Sequence, residues 1–344
     1  MKLGIVKERI SGENRVAASP ETVKKYISLG FSVAVEKGAG LASSISDKEF
    51  EAAGAAISSD ISEVISDADI VLKVQPPFLP EEDAVEVDGM KRGGFLVSLL
   101  NPYDNKTGIA ALAKHEINAF GMELIPRISR AQNMDVLSSQ SNLAGYKAVI
   151  DAVAEFGKAV PMMMTAAGTV KPAKILILGA GVAGLQAIAT AKRLGAVIEA
   201  SDVRPAAKEQ IESLGAKFID VPFETDEERE IAQGVGGYAR PMPATWMQRQ
   251  AHLVAERAKQ ADIVITTALI PGRPAPMLLS AETVAQMKPG SVVVDLAAGK
   301  GINGSGNCPL TEANQIVVKH GVTIIGMSNL PALLAADASA LYAR

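Results

Sequence analysis

The chain has 344 residues, 48% of them hydrophobic and 21% charged, which is enough apolar material for the cores of two domains and enough charge for solubility. Thirty-four basic against 38 acidic residues leave a net charge of -4, so nothing in the balance points to a nucleic-acid partner. The single cysteine, Cys308, excludes an internal disulfide and any multi-cysteine metal site, and no metal site is expected.

The opening MKLGIVKERISGENR turns charged at once and does not read as a signal peptide. LGIVKE (3–8) reads as a strand, and Ser19-Pro20-Glu21 starts a helix with serine as N-cap and proline in the first turn. Gly30 ends that helix before the strand FSVAVE (31–36). SEVISDA then reads as a helix, DIVLKV (69–74) and GFLVSLL (94–100) as strands, 107–115 as a helix and 117–123 as a strand. Strands alternating with helices predict a parallel sheet covered on both faces. Between Pro126 and Pro161 the texture changes, from a polar loop into a long joining helix with Leu143, Tyr146, Ala148, Val149 and Val153 on one apolar face. The second domain continues with a helix from about Pro205 and strands at 262–268, 291–298 and 322–326. LPALLAADASALYA is helical and is expected to return to the first domain. The acidic, then glycine-rich stretch 223–244 is too long for an ordinary connection and is expected to be a mobile loop with Tyr238 near its tip. The fold class is therefore α/β: two Rossmann-like domains with parallel sheets, separated by a cleft and bridged by a long helix. The expected boundaries are 1–130 plus 327–344, the linking helix 131–160, and the Rossmann domain 161–326.

The run 175–191 is uncharged and nearly long enough for a membrane span, yet it reads better as strand, turn and helix. Within it Gly179-Ala180-Gly181-Val182-Ala183-Gly184 matches GxGxxG in the right context, after a β-rich strand and before a small-residue helix. Gly179 permits the tight turn, Gly181 lets a pyrophosphate approach the backbone, and Gly184 lets the helix pack against the strand. The helix N-terminus offers free N–H groups and a positive dipole. Asp202 ends the next strand, placed to accept from the adenosine ribose and to disfavour a 2′-phosphate, so NAD(H) is expected over NADP(H). Val203 adjoins it, and Arg204 is the one neighbour able to accommodate such a phosphate.

A dehydrogenase that moves a proton with its hydride needs a positioned acid or base, most often histidine. His115, His252 and His320 all read as surface residues. Direct hydride exchange between two nicotinamides needs no such group and depends on holding the rings in contact.

PRISRAQNMDVLSSQSNLAGYKAVIDA (126–152), MMMTAAGTVKPAKILILGAGVAGLQAIATAKRLGA (162–196), TTALIPGRPAP (266–276) and GNCPL (306–310) resemble the NAD(H)-binding component, domain I of the alpha subunit, of proton-translocating nicotinamide nucleotide transhydrogenase. The resemblance spans essentially the whole chain. It implies that NADH is presented to an NADP(H)-binding component, and that a membrane-spanning component couples hydride transfer to proton movement. It further implies a homodimer at the cytoplasmic face of the membrane, peripheral through its partners. On that basis Arg127, Asp135 and Ser138 contact the nicotinamide carboxamide, and Gln132 lies by the nicotinamide ribose, facing the second nucleotide. Tyr238 closes over bound nucleotide, while Ser139, Gly237, Gln250 and Leu269 belong to the same site. Read without the resemblance, Arg127, Arg130 and Asp135 suit a solvated charge cluster equally well. The family often continues beyond the position of Arg344, so the chain reads either as a separate soluble subunit or as one lacking a terminal helix. The 299–307 stretch is longer than usual.

Alanine dehydrogenase shares this plan. Arg15 and Lys73 match its substrate-binding positions, but SLLNPY has no histidine between 98 and 103, and Gly299 stands where a catalytic aspartate is expected. A nucleotide-sensing protein without turnover is the third reading.

Overall fold

Ile175, Leu176, Ile177 and Leu178 are each no more than 2% exposed, so this strand is covered on both faces, as an apolar run without polar alternation requires. The computed structural model describes residues 1–79, 85–232, 242–270, 272–300, 304 and 306–344. It divides into two units, Met1–Gln140 with Pro331–Arg344, and Ser141–Leu330.

In the first unit the described elements alternate: β1 Lys2–Ile5, α1 Pro20–Ser28, β2 Ser32–Glu36, α2 Asp47–Ala52, β3 Ala56–Ser58, α3 Ile61–Ile65, β4 Ile70–Leu72, α4 Val85–Asp88, β5 Phe95–Ser98, α5 Lys106–Lys114 and β6 Asn118–Gly121. The strands pair in the order β3-β2-β1-β4-β5-β6, all parallel. Ser19 caps α1 in a reciprocal box with Thr22, and Gly30 (φ 90°) follows its last turn. Periodicity misses α2 and β3 because neither is long enough to show a period; Ser46 and Glu49 instead fix α2 by a capping box.

A 3-10 turn, Ser129–Met134, leads into α6, Val136–Glu155. This helix begins in the first unit and continues into the second. There Ala148, Val149 and Ala152 are buried, whereas Tyr146 is 40% exposed and is not part of the core face. The reason is rotational. Gly145 takes the contact with the rest of the second unit, and the next residue points about 100° away on a 3.6-residue helix.

The second unit contains a hairpin, β7 Met163–Thr165 and β8 Gly168–Val170, followed by β9 Lys174–Leu178, α7 Val182–Arg193, β10 Val197–Ser201, α8 Ala206–Ser213, β11 Lys217–Phe218, α9 Asp226–Ala232, α10 Ala244–Ala258, β12 Ile263–Thr266, α11 Ala281–Val284, β13 Val292–Asp295, β14 Ile316–Lys319 and β15 Val322–Ile325. Its sheet runs β11-β10-β9-β12-β13-β15-β14, parallel except for the edge strand β14. The expected loop 223–244 is corrected in its first part: residues 226–232 are helical. Thr225 Oγ1 accepts from Glu228 N–H, the first turn carries three acids at its positive end, and Arg249 pairs with Glu228. Residues 233–241, with Gly237 and Tyr238, lie outside the described residues. The chain ends on α12, Ala335–Tyr342, in the first unit, where Ser339 Oγ accepts from Val16 N–H and Tyr342 Oη donates to the Lys73 carbonyl.

A side chain begun at Gly145 would place its Cβ 2.1 Å from the Ala183 carbonyl oxygen, so α6 and the first turn of α7 meet backbone to backbone. Gly145→Ala is therefore expected to lower stability by about 1–3 kcal/mol through overpacking. Urea unfolding measures this, and a midpoint equal to the parent's would show that the helices do not meet so closely.

Candidate functional site

In both sheets the strand order reverses beside the first strand, between β1 and β4 and between β9 and β12. Ligands of open α/β sheets bind beyond the carboxyl ends of the strands at such points.

At the second unit's switch point stands the glycine turn. Gly179 (φ 97°) takes a conformation that favours glycine, and its N–H donates to the Ser201 carbonyl. A Cβ on Gly184 would lie 1.9 Å from the Gly179 carbonyl oxygen, so only glycine lets α7 start this close to β9. By contrast, nothing lies within 4 Å of where a side chain on Gly181 would begin, which leaves room for a ligand. Gly181 is the N-cap of α7 and supplies no side-chain cap, so the N–H groups of the first turn, including those of Val182 and Ala183, face that space uncapped by a side chain. Ala180 is buried and donates its N–H to Asp202 Oδ2. Asp202 Oδ1 accepts from Arg204 N–H and Nε, and Arg204 Nη2 donates to Oδ2 at 2.9 Å. The carboxylate holds the Arg204 guanidinium pKa above its ordinary value. Val203 packs partly buried against the Trp246 cluster. Gln250 is buried on α10, and Leu269 is 48% exposed just beyond β12. Sequence reasoning overlooked Thr267, whose hydroxyl donates to the Gly179 carbonyl at 3.0 Å and ties the end of β12 to the turn; the TTALIPG stretch was the available signal.

The 127–139 segment belongs to the first unit, which runs to Gln140, and it brings Arg127 to Asp135, while the exposed Arg130 makes no hydrogen bond or ion pair among the described residues. Arg127 Nη2 donates to Ser138 Oγ at 3.0 Å, and its Nε stands 3.4 Å from Asp135 Oδ2. Ser138 donates through its N–H and its hydroxyl to the Asp135 carboxylate. Burial would raise the Asp135 pKa, but these Ser138 donors and Arg127 outweigh it and hold the group ionised below its usual range. Ser139 Oγ turns back to the Val136 carbonyl. Gln132 lies exposed in the 3-10 turn, and its side-chain amide makes no hydrogen bond among the described residues. Arg127, Asp135 and Ser138 thus hold one another in a single hydrogen-bonded cluster.

The first unit's switch point is occupied by charge. Arg15, 3% exposed, grips Glu13 through Nε at 2.8 Å and Nη2 at 2.6 Å, and its Nη1 donates to Gln140 Oε1. Lys73, 1% exposed, donates to Glu86 Oε1 at 2.9 Å and stands 3.4 Å from Glu8 Oε2. Burial pushes the Glu8 carboxyl up, against the opposing pull of Lys73. The two cations that match alanine dehydrogenase's substrate positions are therefore met by the chain's own carboxylates. His252 and His320 are exposed, and His115 pairs with Asp88 at 3.0 Å. Among the described residues no cluster of His, Cys, Asp or Glu is placed to hold a metal ion, and no helix is long and apolar enough to cross a membrane.

An open glycine turn at the switch point of a mostly parallel sheet defines the class, a Rossmann-type dinucleotide-binding protein. Comparison with known proteins makes it specific. The chain belongs to the alanine dehydrogenase/PNT family: the model of that family's N-terminal domain matches residues 4–144, and the model of its C-terminal domain matches 148–344. It is 56% identical to an NAD(P) transhydrogenase alpha-subunit chain of Rhodospirillum rubrum, over all of this chain and 88% of that one. A solved transhydrogenase structure from Sinorhizobium meliloti superposes with a TM-score of 0.85 at 50% identity, covering 100% of this chain and 91% of that one. The alanine dehydrogenase of Mycobacterium tuberculosis is more distant, at 29% identity over 96% of this chain and 82% of that protein.

Burial alone would raise the Glu13 carboxyl, but the Arg15 fork and Gln75 bring it down to about 2 from an ordinary 4.5. A folded value below the unfolded one stabilises the protein above pH 4.5, and that gain is lost as the pH falls toward 2. The amount is on the order of 3 kcal/mol. Stability measured by urea unfolding from pH 6 downward is expected to fall more steeply in the parent than in Glu13→Gln; parallel slopes would refute the pairing.

Proposed function

We propose that this chain is the NAD(H)-binding component of a Re/Si-specific, proton-translocating NAD(P)+ transhydrogenase. NAD(H) binds the second unit, with its pyrophosphate at residues 179–184 and its adenosine ribose toward Asp202. Arg127, Asp135 and Ser138 orient the nicotinamide carboxamide, and Gln132 lies at the transfer surface. Ser139, Val203, Arg204, Gln250 and Leu269 complete the contacts on the described residues. NADP(H) is held by a partner component, and a membrane-spanning partner couples the hydride step to proton movement. The chain works as a homodimer, peripheral to the cytoplasmic face of the membrane through those partners.

The observation that carries this reading is the contrast between the two switch points. One leaves backbone donors open beside Gly181. At the other, Arg15 and Lys73 face Glu13, Glu8 and Glu86. Converting an amino acid to a keto acid needs cations free for the substrate and a group that moves protons. Direct hydride transfer needs neither. The hydride leaves one nicotinamide with its electron pair and reduces the other, and the work of this chain is to hold the ring at the right face and distance.

The test mixes the protein with the NADP(H)-binding component of a transhydrogenase, NADH and an oxidised NADP+ analogue, with a parallel reaction of pyruvate and ammonia without the partner. Partner-dependent transfer is expected. Oxidation of NADH by pyruvate and ammonia alone would mean an alanine dehydrogenase instead. Within the same assay Gln132→Asn is expected to slow hydride transfer by at least about tenfold while changing NADH affinity far less, because a transfer-surface group acts on ring approach rather than on binding. Equal losses in both would remove Gln132 from that surface.

A further inference from the structure

The loops after β12 and β13 are joined by a buried polar node that the reaction above does not use. Asp295 ends β13 with no exposed surface. Its Oδ1 accepts from Thr266 Oγ1 at 3.1 Å and Ala297 N–H at 2.9 Å. Its Oδ2 accepts from Asn307 N–H at 2.9 Å, Cys308 N–H at 3.1 Å and Thr311 Oγ1 at 2.9 Å. The fit is close, since a Cβ on Gly306 would stand 2.3 Å from Oδ2.

Asn307, also fully buried, has every polar group engaged. Its carbonyl accepts from Leu278 and Leu279 N–H. Its Oδ1 accepts from Ala268 N–H at 3.1 Å, and its Nδ2 donates to the carbonyls of Ala268 at 2.8 Å and Pro276 at 2.7 Å. Ala268 is thereby held at both its N–H and its C=O by one side chain. Its neighbour Thr267 reaches the Gly179 carbonyl, and Leu269 on the other side is exposed.

Position gives this node its meaning. The sheet runs β10-β9-β12-β13. With the ribose beside Asp202 at the end of β10 and the pyrophosphate at the end of β9, an extended dinucleotide continues over the ends of β12 and β13. We propose that Asn307, fixed by Asp295, is a positioning residue for the nicotinamide-side half of the dinucleotide. It presets the 267–269 backbone so that binding does not have to order it. The inference rests on the reading of the second unit as an NAD(H) site.

The test compares NADH with ADP as ligands of the full chain by calorimetry, for the parent and for Asn307→Ala, with thermal melts run alongside. ADP reports only the turn and the Asp202 end. NADH affinity is expected to fall about tenfold or more while ADP affinity stays within about twofold, because only the larger ligand reaches the loop that Asn307 orders. A merely structural role would weaken both ligands alike, and that result, or unchanged NADH binding, would overturn the proposal. Asn307→Ser, which keeps a donor for one carbonyl, reads the same ratio if the alanine variant does not fold. A parent that binds ADP but not NADH would instead overturn the underlying reading, and this one with it.

Discussion

The second unit depends on one backbone contact, the Gly179 carbonyl pressed against the Cα of Gly184. With room for no Cβ between them, the helix must begin where the strand ends, and the N–H groups of its first turn are left facing the sheet's carboxyl edge. The same carbonyl takes the Thr267 hydroxyl from the other side, so the turn, α7 and the end of β12 are fixed by a single oxygen. Gly145 repeats the device one layer out, where α6 meets Ala183 backbone to backbone. Small residues here are therefore a steric requirement, and each close approach removes a degree of freedom from a surface that has to meet phosphate in one geometry.

The two units share a strand order and differ in what fills its switch point. In the second, the chain supplies backbone donors and empty space. In the first, it supplies side-chain charge: Lys73 between Glu8 and Glu86, Arg15 on Glu13, and Tyr342 closing on the Lys73 carbonyl. Buried pairs of this kind are costly to desolvate and costly to break, so they gain little over apolar groups of the same volume while specifying one arrangement of the segments that carry them. The segments in question are the ends of β1 and β4, the start of α6 through Gln140, and the last helix. The cluster packs beside the last helix, whose Tyr342 donates to the Lys73 carbonyl and whose Ala338 carbonyl accepts from Gln140.

Legibility in the sequence followed the range of the forces involved. The strands β1, β2, β4, β5, β6, β9, β10, β12, β13 and β15 were readable because they are apolar runs bounded by turn signals, and the glycine turn because a steric rule dictates its residues. Short elements held by capping, such as α2, gave no period to read. Acidity misled at 226–232, where Asp226, Glu227 and Glu228 looked like solvated loop and are in fact the favourable charge of a helix start. Tyr146 shows the limit of periodicity on a long helix, since a nearby glycine decided which stripe became the contact. The node of Asp295 and Asn307 was invisible for another reason. Its partners are mostly backbone groups far away in sequence, and no local pattern encodes them.

Asp202 illustrates how a correct local reading meets a competing one. A carboxylate has about four lone-pair sites. Here Oδ1 takes two donors from Arg204, and Oδ2 takes one from Arg204 and one from Ala180 N–H, so all four are filled. A ribose diol therefore cannot simply add to this carboxylate. It has to displace a donor, and the Arg204 side chain can move where the Ala180 N–H, set in the turn, cannot. Any discrimination against a 2′-phosphate would then depend on where Arg204 goes. While it stays on Asp202 the pair is close to neutral and repels a phosphate only weakly. If a ribose took its place, the carboxylate would face the sugar directly, and a 2′-phosphate would meet that charge unless Arg204 turned to it. Any preference between NAD(H) and NADP(H) would then be a property of the pair, set by the same contact that holds the carboxylate in place.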